Sequence, residues 1–168
     1  MKCNKSKALQ PIDLRPLALA ALIAALFWCA QAFGATPSRN LSENGLALRG
    51  YDPVAYFVVG RAERGDAAFA ATYEGATYHF ASAARREAFL LEPRLYVPSY
   101  GGFCAYGVAV GQKFDGDPEV FLLVEGKLYL QLDRATQALW KADLDKNIAI
   151  ADRTWPVIAK IPAAVLND

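Results

Sequence analysis

Thiols, imidazoles and surplus charge are all scarce in this 168-residue sequence. It has three cysteines, one histidine, one methionine, and 18 Lys and Arg against 17 Asp and Glu. A chain that grips nucleic acid needs a basic face to neutralise phosphates, and this charge balance supplies none. No Cys-x-x-Cys pair occurs, so thioredoxin-like exchange would need a resolving thiol from outside. Phosphate-cradling glycine motifs are missing, as are low-complexity tracts, and no internal repeat is legible.

What is present begins with an address. Lys2, Lys5, Lys7 and Arg15 precede the apolar run "PLALAALIAALFWCAQAFGA", which ends in small residues. A positive start, an apolar middle and an Ala-x-Ala exit make a secretory signal peptide. Ala30-Gln31-Ala32 fits that exit, so residues 1–32 read as the leader and the protein as exported, periplasmic or extracellular. The alternative is an uncleaved anchor, because the run approaches the roughly 20 residues that span a bilayer. Cleavage leaves no stable membrane insertion. It also removes four basic residues and Asp13, leaving 14 Lys and Arg against 16 Asp and Glu, a net charge of −2. Cys3 and Cys29 leave with it, so Cys104 becomes a single free cysteine with no intramolecular partner.

Residues 33–45 read as an irregular linker and residues 46–168 as one domain, large enough to bury a core without staples. In "GYDPVAYF", Asp52 caps a short helical turn and Pro53 takes its first position. "AAFAATYEGATYHFAS" alternates around Glu74-Gly75, the pattern of a hairpin. Ser82 caps a helix through "AARREAFLLE" that Pro93 stops, with Arg85, Arg86 and Arg94 as a solvated face. Gly101-Gly102 allows positive φ before a short helix over 105–110. "EVFLLVEGKLYLQL" predicts a second hairpin with Glu125-Gly126-Lys127 as its turn. Asp133 then caps a helix whose Leu139 and Trp140 face the sheet, and a last helix over "KNIAIADRTWPVI" is broken by Pro156. Strands and helices without strict alternation predict an α+β fold: a small antiparallel sheet of hairpins with helices packed on it.

"GYDPVAYF", "YEGATYHFAS", "REAFLLEPRLYVPSYGGFCAYGVAVG", "EGKLYL" and "IADRTWP", in this order, resemble the secreted bacterial YHS-domain proteins. The resemblance runs from about Leu46 to Pro156 and implies a YHS-like core with a C-terminal helical extension. It also implies a relation to heavy-metal-binding modules, whose thiolate positions fall here on Ala55, Ala81 and Arg85. Those ligands are absent, while Asp52, Pro53, Tyr78, Phe80, Ser82 and Phe89 remain.

Two residues carry chemistry of their own. His79 is a ligand or a general base near neutral pH, or else a half-exposed strand histidine. Cys104 sits where a helix amino end favours thiolate, or is a small buried residue. Together they offer two metal ligands, with Tyr78, Tyr100 or Asp115 as a weak third, short of the four a closed zinc site takes. Asp115 and Asp117 in "FDGDPE" read as turn and cap residues. Three functions follow. The first is an exported domain binding a small ligand or a metal ion, copper or zinc, around Cys104, His79, Tyr78 and Tyr100. The second is a thiol-dependent enzyme or redox protein using Cys104. The third is a structural or partner-binding domain in which Cys104 only packs.

Overall fold

A computed structural model describes residues 39–168. The expected leader and cleavage site lie outside the described residues. The domain has an α+β architecture, as its composition of hairpins and capped helices predicts.

A 3₁₀ turn at Leu48–Gly50 opens it, followed by α1 (Ala55–Val58) and the antiparallel hairpin β1 (Asp66–Tyr73) and β2 (Ala76–Phe80). Helices α2 (Ala83–Leu91) and α3 (Pro93–Tyr96) close this first unit. A second 3₁₀ turn, Ser99–Gly102, begins the same order again: α4 (Ala105–Ala109), β3 (Asp117–Val124), β4 (Lys127–Gln131) and α5 (Arg134–Ala142). The long α6 (Leu144–Ile158) and short α7 (Ala163–Leu166) finish the chain.

The two units are copies of one supersecondary structure, 51 residues apart through their strands and helices. Asp66 pairs with Phe80 and Ala70 with His79, with a bulge between; Asp117 pairs with Gln131 and Phe121 with Leu130, with a bulge in the same place. Both hairpins turn through Glu-Gly with positive φ at both residues, 46° and 78° in the first, 50° and 72° in the second. That is the left-handed pair which two-residue hairpins require. Both following helices are nine residues long and start from a side-chain cap, Ser82 or Asp133. Both end at an acidic residue in nearly the same conformation, Glu92 (φ −148°, ψ 74°) and Asp143 (φ −147°, ψ 68°). The repeat was illegible in the sequence because its register is kept by turns and caps while its buried positions diverge. Gln131 takes the position of Phe80, and Trp140 that of Phe89, with all four side chains buried.

The antiparallel hairpins therefore form two separate two-stranded sheets instead of one. Phe89 anchors the first core against Tyr78 and Phe80, each ring centroid 5.0 Å away. Trp140 anchors the second against Tyr129 at 5.6 Å. Leu139, expected on the sheet, is 52% exposed, because adjacent helical residues diverge by about 100° and Trp140 takes the inward direction. Lys127 is a strand residue paired with Val124, leaving Glu125-Gly126 alone as the turn. Pro156 does not break α6, which continues to Ile158. The proline lies close to the helix end, so few intrahelical bonds beyond it are at stake, and Ala159 N–H still reaches Trp155 O at 2.8 Å.

Residues 39–45 have no helix or strand of their own, yet they are bonded to the domain. Asn40 N–H donates to Gly101 O at 2.8 Å, and Leu41 bridges to Ala47. No described helix is long and apolar enough to cross a membrane.

Candidate functional site

Cys104 sits where the repeat places Asp52 in the first copy: each lies two residues after the glycine that ends its 3₁₀ turn, and each is fully buried. Asp52 Oδ1 accepts from Val54 N–H at 2.8 Å, and Oδ2 from Ala81 N–H at 2.9 Å and the Arg85 guanidinium at 3.1 Å. Arg85 also donates to Glu63 at 2.6 Å. The guanidinium, only one-fifth exposed, is thus an internal counter-ion rather than part of a solvated helix face. It holds the Glu63 carboxyl below its ordinary range, with Arg61 adding to the effect. The three positions that the YHS resemblance marks for thiolates meet at this corner. Ala55 N–H donates to the Asp52 backbone carbonyl at 3.2 Å, Ala81 N–H donates to its carboxylate, and Arg85 brings the positive charge itself.

In the second copy the same corner is neutral. Cys104 caps α4, its Sγ accepting from Gly107 N–H at 3.4 Å and donating to Gln131 Oε1 at 3.5 Å. Gln131 Oε1 also receives Tyr106 N–H at 3.2 Å. The helix beginning at Ala105 and the positive φ of Gly101 and Gly102 (63° and 84°) are as the sequence predicts. With no exposed surface, however, the thiol meets neither solvent nor substrate. Inert burial of this kind is how structural cysteines differ from reactive ones.

The other expected site residues are dispersed. His79 is half-buried on β2, pairs with Ala70 on β1, and has its ring beside Gly50. Tyr78 points to the opposite face, packs on Phe89, and receives a hydrogen bond from Arg39 at 3.3 Å. Tyr100 gives its hydroxyl proton to Asp152 at 2.8 Å, and burial with that carboxylate raises its pKa. No hydrogen bond joins Cys104 to His79, and the described residues hold no group of three or more His, Cys, Asp or Glu able to bind a metal ion.

A cleft of about 350 Å³ opens elsewhere, between the two copies. Its walls are Asn40, Ser42 and Glu43 from the amino-terminal arm, Arg49 from the first 3₁₀ turn, and Gly102, Asp115 and Gly116 from the second copy. Leu41, Leu46 and Leu48 supply the apolar lining. Gly116 is required by packing: a Cβ there would stand 2.5 Å from Gly102 O and 2.7 Å from Leu130 Cβ. Asp115, expected as a turn residue or a weak third metal ligand, forms an isolated bridge with Phe103 and lies 3.8 Å from the Arg49 guanidinium. Sequence reasoning missed Arg49, and its only signal was the "LRG" tripeptide at the place where "YGG" stands in the second copy.

Lys113 was missed too. Its Nζ donates to Ala159 O at 3.1 Å and Ile161 O at 2.9 Å and lies 4.6 Å over the Phe103 ring. Burial lowers its pKa, and its contacts tie the carboxyl-terminal segment to the second copy.

Comparison with family models, with curated proteins and with solved structures gives no match for this chain.

Proposed function

We propose that this chain is an exported YHS-type domain that binds a small organic ligand in the cleft between its two copies, with Cys104 serving as a structural cap. The cleft carries this reading: about 350 Å³, lined by polar side chains of both signs over a leucine floor. Ligand sites are concave, largely apolar, furnished with a few convergent polar groups, and about 300–1,000 Å³ in volume. A binding role for Cys104 has less support, since the thiol is sealed and its hydrogen bonds are taken by Gln131 and Gly107. Copper or zinc has less support as well, because two dispersed donors fall short of a ligand set.

A thermal-shift screen against small polar metabolites tests the reading. A ligand present at a hundred times its Kd adds about 2.7 kcal/mol to stability. Glu43→Trp, at an exposed position on the cleft wall, fills the space and is expected to abolish the shift. A shift that survives Glu43→Trp, or no shift with any compound, contradicts the proposal. Tight Cu(I) or Zn(II) binding that Cys104→Ser removes would restore the metal reading in its place.

A further inference from the structure

Two neighbouring residues that are not glycine adopt left-handed backbone at the cleft wall: Leu48 (φ 53°) and Arg49 (φ 49°). Such conformations are costly and gather at ligand clamps and active sites. The second copy shows what the turn needs for folding alone: Tyr100 (φ 52°) takes the left-handed place of Leu48, and Gly101 (φ 63°) stands where the first copy has Arg49. An arginine thus stands where the duplicated fold accepts glycine. Its carbonyl is held by Arg64, which donates to it at 2.8 Å, while its guanidinium is more than half exposed and only loosely paired with Asp115 at 3.8 Å. The backbone is fixed and the charged head is available.

Resting on the ligand-binding reading above, we infer that the cleft takes a small zwitterion, an α-amino acid with an apolar side chain. The charges lining it decide this class: one cation, Arg49, with two carboxylates, Glu43 and Asp115. A simple anion gains Arg49 but faces both carboxylates, and a simple cation meets the guanidinium. A ligand carrying both charges satisfies both. Its carboxylate takes the two-pronged hydrogen bonds that the planar guanidinium offers. Its ammonium goes to the acidic side chains, and its apolar side chain covers Leu41, Leu46 and Leu48.

Isothermal titration of the purified chain with L-leucine, leucinamide and 4-methylpentanoate separates the charges. L-leucine is expected to bind, and both truncated compounds at least 10-fold more weakly. Arg49→Gly is expected to keep or raise Tm, since glycine accepts the left-handed turn, and to weaken L-leucine binding at least 10-fold. Asp115→Asn is expected to narrow the gap between L-leucine and 4-methylpentanoate. Equal binding of all three compounds, undiminished binding in Arg49→Gly, or a large fall in its Tm overturns the inference. If L-leucine fails while a compound that is not an α-amino acid gives a shift that Glu43→Trp abolishes, the zwitterion is wrong and the cleft remains the site.

Discussion

Removing the Arg85 guanidinium leaves the Asp52 carboxylate fully buried with two backbone N–H donors and no counter-ion. Breaking a buried pair by deleting one partner costs about 3–5 kcal/mol. The retained N–H bonds, and the one-fifth exposure of the guanidinium, place Arg85→Met near about 3 kcal/mol on that scale. A domain of about 130 residues has an unfolding entropy of roughly 0.27 kcal/mol/K, so its Tm should fall by about 11 °C. Urea denaturation of the wild type, Arg85→Met, Asp52→Asn and the double variant gives the pairwise term directly. The double variant is expected to be at least about 1 kcal/mol more stable than the sum of the single losses predicts, because it carries no orphaned charge. A loss under about 1 kcal/mol for Arg85→Met, or strict additivity, would refute the view of Arg85 as the corner's internal cation.

The neutral corner should behave differently. Native Cys104 is expected to resist alkylation at pH 8 and react fully in urea, and Cys104→Ser, which keeps a capping atom, should cost about 1 kcal/mol. Rapid native alkylation contradicts the burial. Gly116→Ala should lose about 1–3 kcal/mol by overpacking, because both Gly102 O and Leu130 lie in the way of a Cβ; an unchanged urea midpoint would show that the two loops are not in close contact. Glu63 titrates below its ordinary range in the folded state, so its contribution is present above its unfolded pKa and lost as pH falls through the folded value. Glu63→Gln should therefore flatten the acid limb of the stability profile as pH falls below the ordinary carboxylate range, and an unaltered limb counts against the Arg85–Glu63 pair.

Local chemistry was readable where a short motif has one physical solution. The Glu-Gly turns, the Ser82 and Asp133 caps and the helix after Cys104 all follow from backbone rules that act within a few residues. The duplication was hidden because equivalent buried positions solve the same packing problem with different residues, Phe80 against Gln131 and Asp52 against Cys104. Arg85 looked like a surface charge because its partners, Asp52 and Glu63, are 33 and 22 positions away. The cleft could not be read at all. Its walls come from segments more than 50 residues apart, and a loosely paired Arg49 and Asp115 leave no pattern along the chain.

The most direct test is a ¹H–¹⁵N titration of the labelled chain with L-leucine, followed residue by residue. Saturable shifts are expected at Ser42, Arg49, Gly102, Asp115 and Gly116, around the cleft. Cys104, fully buried as the cap of α4, should move little. Saturable shifts centred on Cys104 and His79, with the cleft resonances unmoved, would contradict the cleft as the ligand site.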